Sequence, residues 1–459
     1  MAEFPFQLVV KRISPTEVKE SLLCTSVLRS IPGRRQIYDA RWNDQSVVAK
    51  VFSHTIKARY HLGREWRGLD QLQKRGLNAP KPLFYGKTED GRWVIVSQKI
   101  LDSATLLAVL SATSEKSKEL ALFVEAAGEL AKQHSKGVIQ KDLHLGNFLL
   151  AGDKIYALDP GQMQFFPSAV PRERSVSHLA MLAGYLPAGE AESVGTVCKK
   201  YFQVRQWHFE KSDEVLLRKQ VGVHRNKAIR HGLKKCLRTS KRCRRFESGG
   251  FAAVFDKSFL GGAEPADFIR QIDTAMDKGR ILKKGNTCFV SRLMWEGQDI
   301  VIKRYNHKGF IHSLRHTIKG SRARRGWLCA HRLFILDIPT PKPFAFIEHR
   351  KGRLIWNSYL VTEFVEGTSL HDFLQDDNVA QEQRLKMARR VLSLLDQMAK
   401  HNITHGDLKH SNILVAETGP VLTDLDGMKV HTLRQGCRLR YLKDVKRFTS
   451  GHSIGPGTA

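Results

Sequence analysis

One ordered set of residues occurs twice in this chain at a fixed displacement, and that repeat restricts the possible folds more than any other feature. Gln140-Lys-Asp-Leu-His-Leu-Gly-Asn147 resembles His405-Gly-Asp-Leu-Lys-His-Ser-Asn412, and Asp142, Asn147 and Asp159 recur as Asp407, Asn412 and Asp424, each 265 positions later. Equal internal spacing predicts a duplicated domain. Upstream, Ala79-Pro-Lys-Pro82 pairs with Thr340-Pro-Lys-Pro343 at an offset of 261, and Val47-Val-Ala-Lys50 pairs with Ile300-Val-Ile-Lys303 at 253. The second copy therefore carries insertions between its lysine and its aspartate, where loops absorb them. A length of 459 residues also exceeds what one hydrophobic core usually serves. The expected domains are 1–240 and 250–459, separated where a basic run gives way to Gly249-Gly250.

Both polar loops follow a stretch with helical periodicity. Leu120, Phe123, Ala127 and Leu130 fall at i, i+3, i+7 and i+10, as do Leu385, Ala388, Leu392 and Leu395, so each set is expected to form the buried face of a helix. After each loop comes a short apolar strand, Asn147-Phe-Leu-Leu150 or Asn412-Ile-Leu-Val415, then a turn and a second strand ending in Asp159 or Asp424. The turn should bring the Asn and the second Asp together at the mouth of one hairpin.

Helix, Asp-x4-Asn, hairpin and Asp, with a strand lysine about 90 to 105 residues upstream, is an arrangement that serves phosphoryl transfer from ATP. Such transfer needs charges held against the phosphates and an acceptor hydroxyl aligned in line. Asp142 and Asp407 would accept the hydroxyl proton. Asn147 with Asp159, and Asn412 with Asp424, would hold Mg2+, while Lys50 and Lys303 would steady the phosphates. A glutamate on the helix after the lysine strand keeps such a lysine pointed inward, and Glu65 fits that role in the first copy. His144, His405 and His410 beside the loops read as solvated or structural groups rather than metal ligands.

The formal charge of +30 is concentrated. Residues 199–250 carry 16 Lys/Arg against 4 Asp/Glu, residues 303–332 carry 9 against none, and residues 429–447 carry 7 against 1. Three clusters create a field that favours an anionic partner. None interleaves aromatics as a nucleic-acid stacking platform would, so specific nucleic-acid recognition is not expected. No apolar run approaches the roughly 18 to 20 residues that span a bilayer, and Met1–Arg12 lacks a basic segment followed by an apolar one. These features read as a soluble, unsecreted protein. The seven cysteines never form a C-x-x-C pair, which disfavours a disulfide framework or a zinc site.

The sequence resembles the lipopolysaccharide core (heptose) kinase and InaA-like family. The resemblance rests on His405-Gly-Asp-Leu-Lys-His-Ser-Asn-Ile-Leu-Val415, Val421-Leu-Thr-Asp-Leu-Asp426, Ile338-Pro-Thr-Pro-Lys-Pro343 and Tyr359-Leu-Val-Thr-Glu-Phe-Val-Glu-Gly367, together with Lys141-Asp-Leu-His-Leu-Gly-Asn147. It implies an α+β chain of two tandem protein-kinase-like domains, each with a small antiparallel-sheet N-lobe and a mainly helical C-lobe. It further implies ATP, Mg2+ and a sugar hydroxyl of the lipopolysaccharide core or a related anionic envelope glycan as acceptor, on the cytoplasmic side of the inner membrane. The basic clusters suit peripheral contact with that anionic surface. Rival readings are a protein Ser/Thr kinase, which lacks support because neither copy has an Ala-Pro-Glu segment after its second Asp, and a partly non-catalytic scaffold.

Four departures from the kinase pattern stand out. Neither copy has a G-x-G-x-x-G loop; Ser30-Ile-Pro-Gly33-Arg-Arg and Lys283-Lys-Gly285-Asn stand in its place. Gly326 falls opposite Glu65, so Lys303 lacks a helix glutamate. The second copy reads Asp424-Leu-Asp426 where the first reads Asp159-Pro-Gly161. Only 33 residues follow Asp426, which predicts a shortened second C-lobe. On the glutamate alone, the first site is expected to be the better formed.

Overall fold

Alternating buried and exposed positions set the architecture of the first hundred residues. Leu8 and Val10, Leu22 and Cys24, and Val47, Ala49 and Val51 share one buried side of their strands, the period of two that a half-buried strand requires. In this computed structural model, which describes residues 3–14, 16–186, 191–307, 309, 317, 320–431 and 434–450, those strands form a barrel. Phe6–Ser14, Val18–Ile31, Arg35–Trp42, Gln45–Phe52, Trp93–Gln98 and Pro82–Thr88 pair antiparallel in that order. Val10 opposite Thr88 joins the last strand to the first. The expected small sheet is thus closed on itself, which leaves no open sheet edge.

The chain divides into two compact units, residues 1–225 and 226–459. The division falls inside the helix Lys211–Lys235, upstream of Gly249-Gly250. In the first unit, the helices Lys116–Ser135, Arg172–Ala183 and Ala191–Val204 enclose a core of Phe123, Leu130, Val176, Leu179 and Tyr201. The helix Ala58–Lys74 buries Leu62, Leu69 and Leu72 on one face.

The second unit carries an open seven-stranded antiparallel sheet. Its strand order is Cys243–Ser248, Phe251–Asp256, Pro343–Lys351, Leu354–Glu363, Gln298–Tyr305, Cys288–Trp295 and Arg280–Lys284. The helix Pro265–Lys278 covers it with Phe268, Ile272 and Met276, and the helix Arg322–Ile335 buries Trp327, Ala330 and Leu333. Expected hairpins form in both units: Phe148–Ala151 pairs with Lys154–Ala157, and Ile413–Ala416 with Gly419–Leu422.

One helix face differs from expectation. In the helix Gln381–Lys400 the buried side chains are Met387, Val391, Leu394, Leu395 and Met398, whereas Leu385 and Leu392 are exposed. The helix bears two apolar stripes at helical spacing, and the one that meets Leu408, Ile413 and Leu422 is buried. No helix among the described residues is long and apolar enough to cross a membrane. All seven cysteines are free.

Candidate active sites

In the first unit Lys50 sits on a central strand, opposite Ile37 on one side and Ile95 on the other. A lysine there has no solvent edge to reach and must find partners inside. Its Nζ donates to Glu65 Oε1 at 2.5 Å and to Asp159 Oδ1 at 3.2 Å. Glu65 is buried on the helix Ala58–Lys74, so helix, strand and loop converge on one ammonium. Arg35, from the strand after the Pro32-Gly33 turn, also reaches Asp159, with Nη1 3.4 Å from Oδ1 and Nη2 3.5 Å from Oδ2. Burial works against the charged form of Asp159, but Lys50 and Arg35 outweigh it and hold the carboxyl below its ordinary pKa.

The second unit brings Lys303 Nζ to 2.5 Å from Asp424 Oδ1. Gly326 faces Leu360, whose Cδ2 would lie 2.8 Å from an added Cβ, so this helix offers no carboxylate to the lysine there. One turn earlier the same helix presents Arg322, whose Nε donates to Asp426 Oδ2 at 2.6 Å. Burial raises the pKa of Asp426, and the adjacent Asp424 carboxylate adds to the effect against the pull of Lys303 and Arg322. Asp424 moves the other way: burial opposes ionisation, and Lys303 overcomes it.

The aspartate-asparagine loops have the same local geometry in both units. Asn147 Nδ2 donates to the Asp142 carbonyl at 2.9 Å, and Asn412 Nδ2 to the Asp407 carbonyl at 2.8 Å. Each amide oxygen is thereby turned the other way. Leu158 N donates to the Asn147 carbonyl and Thr423 N to the Asn412 carbonyl, which sets each Asn beside the residue preceding the second Asp. Asp159 and Asp424 both adopt left-handed backbone, φ 54° and 58°, an uncommon conformation that often accompanies a functional constraint. Asp142 is exposed and Asp407 half-buried, as groups that must meet a substrate should be.

The anchors behind these loops differ. In the first unit His178 Nε2 lies 2.7 Å from the Gln140 carbonyl, His178 Nδ1 lies 2.7 Å from His134 Nε2, and His134 Nδ1 lies 2.5 Å from the Tyr201 hydroxyl. In the second, the helix Arg434–Ser450 supplies Asp444, which accepts from Gly406 N at 3.1 and 3.0 Å. Gly406 has φ 82° and would place a Cβ 2.4 Å from the Gly427 carbonyl oxygen, so only glycine fits between His405 and Asp407. His405 is buried, with Nε2 2.9 Å from the Thr423 carbonyl; His144, half-buried, stands 3.9 Å from Asp142.

Each unit also has a cavity near its site. That of the second, about 450 Å³, is lined by Lys303, Asn412 and Asp424 together with Val290, Val301 and Leu360. That of the first, about 610 Å³, is lined by Arg34, Arg35, Lys57, Arg64, Glu65 and Asp159 among others.

Residues 277–451 match the sequence model of the Lipopolysaccharide kinase (Kdo/WaaP) family. That stretch of the chain is similar to the family. It carries Lys303, Asp407, Asn412 and Asp424. The probable serine/threonine-protein kinase PknB of Lactococcus lactis subsp. lactis (strain IL1403) is 36% identical over 71 residues, 15% of this chain. The chain spans about 11% of the length of that curated relative.

Three residues near the sites escaped the sequence reading. Arg35 gave no signal beyond its basic neighbourhood, and Arg322 lies 104 positions from Asp426. Lys409 stands 3.3 Å from Asp407 Oδ1, and its signal was the Asp-Leu-Lys triplet itself.

Proposed function

We propose that both units are protein-kinase-like domains and that the chain is an ATP-dependent phosphotransferase acting on a sugar hydroxyl of the lipopolysaccharide core or a related anionic envelope glycan. The observation that carries this reading is the family match over residues 277–451, on the unit whose ordered residues Lys303, Asn412 and Asp424 line one largely apolar cavity. Apolar walls suit a nucleotide base, and the polar end suits its phosphates. Asp407 and Asp142 take the proton of the acceptor hydroxyl, and Lys409 holds a cation beside the developing charge. Lys303 and Lys50 orient the phosphates. The donor set fits Mg2+: Asn412 with Asp424, joined by Asp426, and Asn147 with Asp159 offer the hard oxygens it prefers. When bound, that ion offsets charge on the phosphates.

Two observations support the second unit as the main site of transfer, against the expectation drawn from Glu65. The family match falls there, and Arg35 occupies both oxygens of Asp159 in the first. Contact with an anionic inner-membrane leaflet is supported by the helix Arg434–Ser450, where exposed Leu439 and Leu442 stand among exposed Arg438, Arg440 and Lys443. Residues 308, 310–316 and 318–319 of the second basic cluster lie outside the described residues.

The test is mass spectrometry of the core oligosaccharide from cells with and without the protein. The reading expects a missing phosphate when the protein is absent; an unchanged phosphate count removes this substrate class. The kinase match to PknB gives a protein acceptor as the second reading, which phosphopeptide mapping of the same cells would reveal instead.

A further inference from the structure

We propose that Cys236, Cys243 and His331 form a structural site for a thiophilic divalent metal ion, Zn2+ by the chemistry of the ligands, in the second unit. The three come from separate elements. Cys236 follows the helix Lys211–Lys235, with its amide donating to the Gly232 carbonyl at 3.1 Å. Cys243 opens the strand Cys243–Ser248, and His331 lies in the helix Arg322–Ile335. One ligand atom from each lies within 4.8 Å of the other two. Tetrahedral zinc, with bonds of about 2.3 Å to sulfur and 2.0 Å to nitrogen, sets neighbouring ligand atoms about 3.5 to 3.8 Å apart. At most about 1.3 Å must close.

Packing alone does not account for the cluster. His331 is only 1% exposed, and its Nε2 has no hydrogen-bond partner among the described residues. A buried polar atom left unpaired costs about 1–3 kcal/mol. Two buried thiols beside an imidazole are the soft and borderline donors that zinc selects over Mg2+. Neighbouring groups already hold them: the Trp327 ring packs edge-on against His331, centroids 4.1 Å apart, and its indole N–H donates to the Cys236 carbonyl at 3.0 Å. Ser240 and Cys243 close the intervening turn, Cys243 N donating to Ser240 Oγ at 3.1 Å and Ser240 N to the Cys243 carbonyl at 2.8 Å. Binding would displace the two thiol protons to solvent, and three protein ligands leave one coordination position for a small donor. Nothing in the spacing announces the site, since the residues are 7 and 88 positions apart. The bound ion would fasten the end of one helix to the helix that carries Arg322.

The test is metal content of the purified full chain by inductively coupled plasma mass spectrometry, with Co2+ replacement read by absorption. About one zinc per chain is expected, together with thiolate-to-cobalt charge transfer in the near ultraviolet. Cys236→Ser, Cys243→Ser and His331→Ala should each lower zinc content at least about fivefold. Should these variants fail to fold, the wild-type chain titrated with Co2+ decides. Absence of charge-transfer absorption overturns the proposal, and so does a Cys236–Cys243 disulfide in non-reducing peptide mapping.

Discussion

In the first unit Lys50 lies between Glu65 of the helix and Asp159 of the loop; in the second Lys303 meets Asp424, and the helix contributes Arg322 to Asp426. With Arg35 included, each site balances two cations against two carboxylates. What differs is the element that carries them: one carboxylate has moved from helix to loop, and one cation from strand to helix. A steric fact links the changes. A Cβ at Gly161 would lie 2.9 Å from Glu65 Oε2, so a side chain at that loop position would push the end of the helix glutamate aside. The first unit keeps the glutamate with glycine, and the second keeps Asp426 without the glutamate. The comparison shows that an absent motif residue is a poor measure of a site when the charge it supplies can come from another element.

Four measurements test how far the two sites differ. The largest effect is expected from Asp142→Asn with Asp407→Asn, which preserves shape but removes the proton acceptors. Phosphoryl transfer should fall about 10²-fold or more while nucleotide affinity persists. Asp407→Asn alone should reproduce most of that loss, and if Asp142→Asn does so instead, the ranking of the units is inverted.

Next comes acid. Burial keeps His178 neutral and pulls its pKa from 6.5 to about 4, with the hydrogen bond to the Gln140 carbonyl opposing; His134 is shifted the same way by burial. Unfolded chain therefore binds more protons between those values, so the stability is present above pH 6.5 and lost as pH falls towards 4. The loss from His178 is roughly 3 kcal/mol. Hydrogen exchange should show the 140–147 loop opening in this window before the 405–412 loop, which Asp444 anchors. Simultaneous opening would mean that the histidines do not set the difference.

Arg322→Ala should lower ATP turnover by about tenfold, because it leaves two adjoining carboxylates with one fewer cation. In a double-mutant cycle Asp426→Asn should add little on that background. Full additivity would show that the ion pair is incidental. The smallest effect concerns the helix Arg434–Ser450: Leu439→Ser with Leu442→Ser should weaken binding to anionic vesicles severalfold and leave its salt dependence intact. Unchanged binding would move the membrane contact to another basic cluster.

Sequence alone determined what depends on local spacing. The Asp-x4-Asn loops, the hairpins that follow them and the strand lysines were legible because turn residues and two-residue periodicity act within a few positions. Glu65 was legible too, since a strand followed by a helix leaves few places for a lysine's partner. Tertiary structure decided the rest. Two apolar stripes on the helix Gln381–Lys400 look alike in sequence, and only the position of Leu408, Ile413 and Leu422 selects Met387 and Val391 over Leu385 and Leu392. Arg35 with Asp159, Arg322 with Asp426, the His134, His178 and Tyr201 chain, and Cys236 and Cys243 with His331 join residues with no shared motif. Their meeting depends on how helices and sheets pack, and packing is decided by the summed burial of the whole core, which no short window of sequence contains.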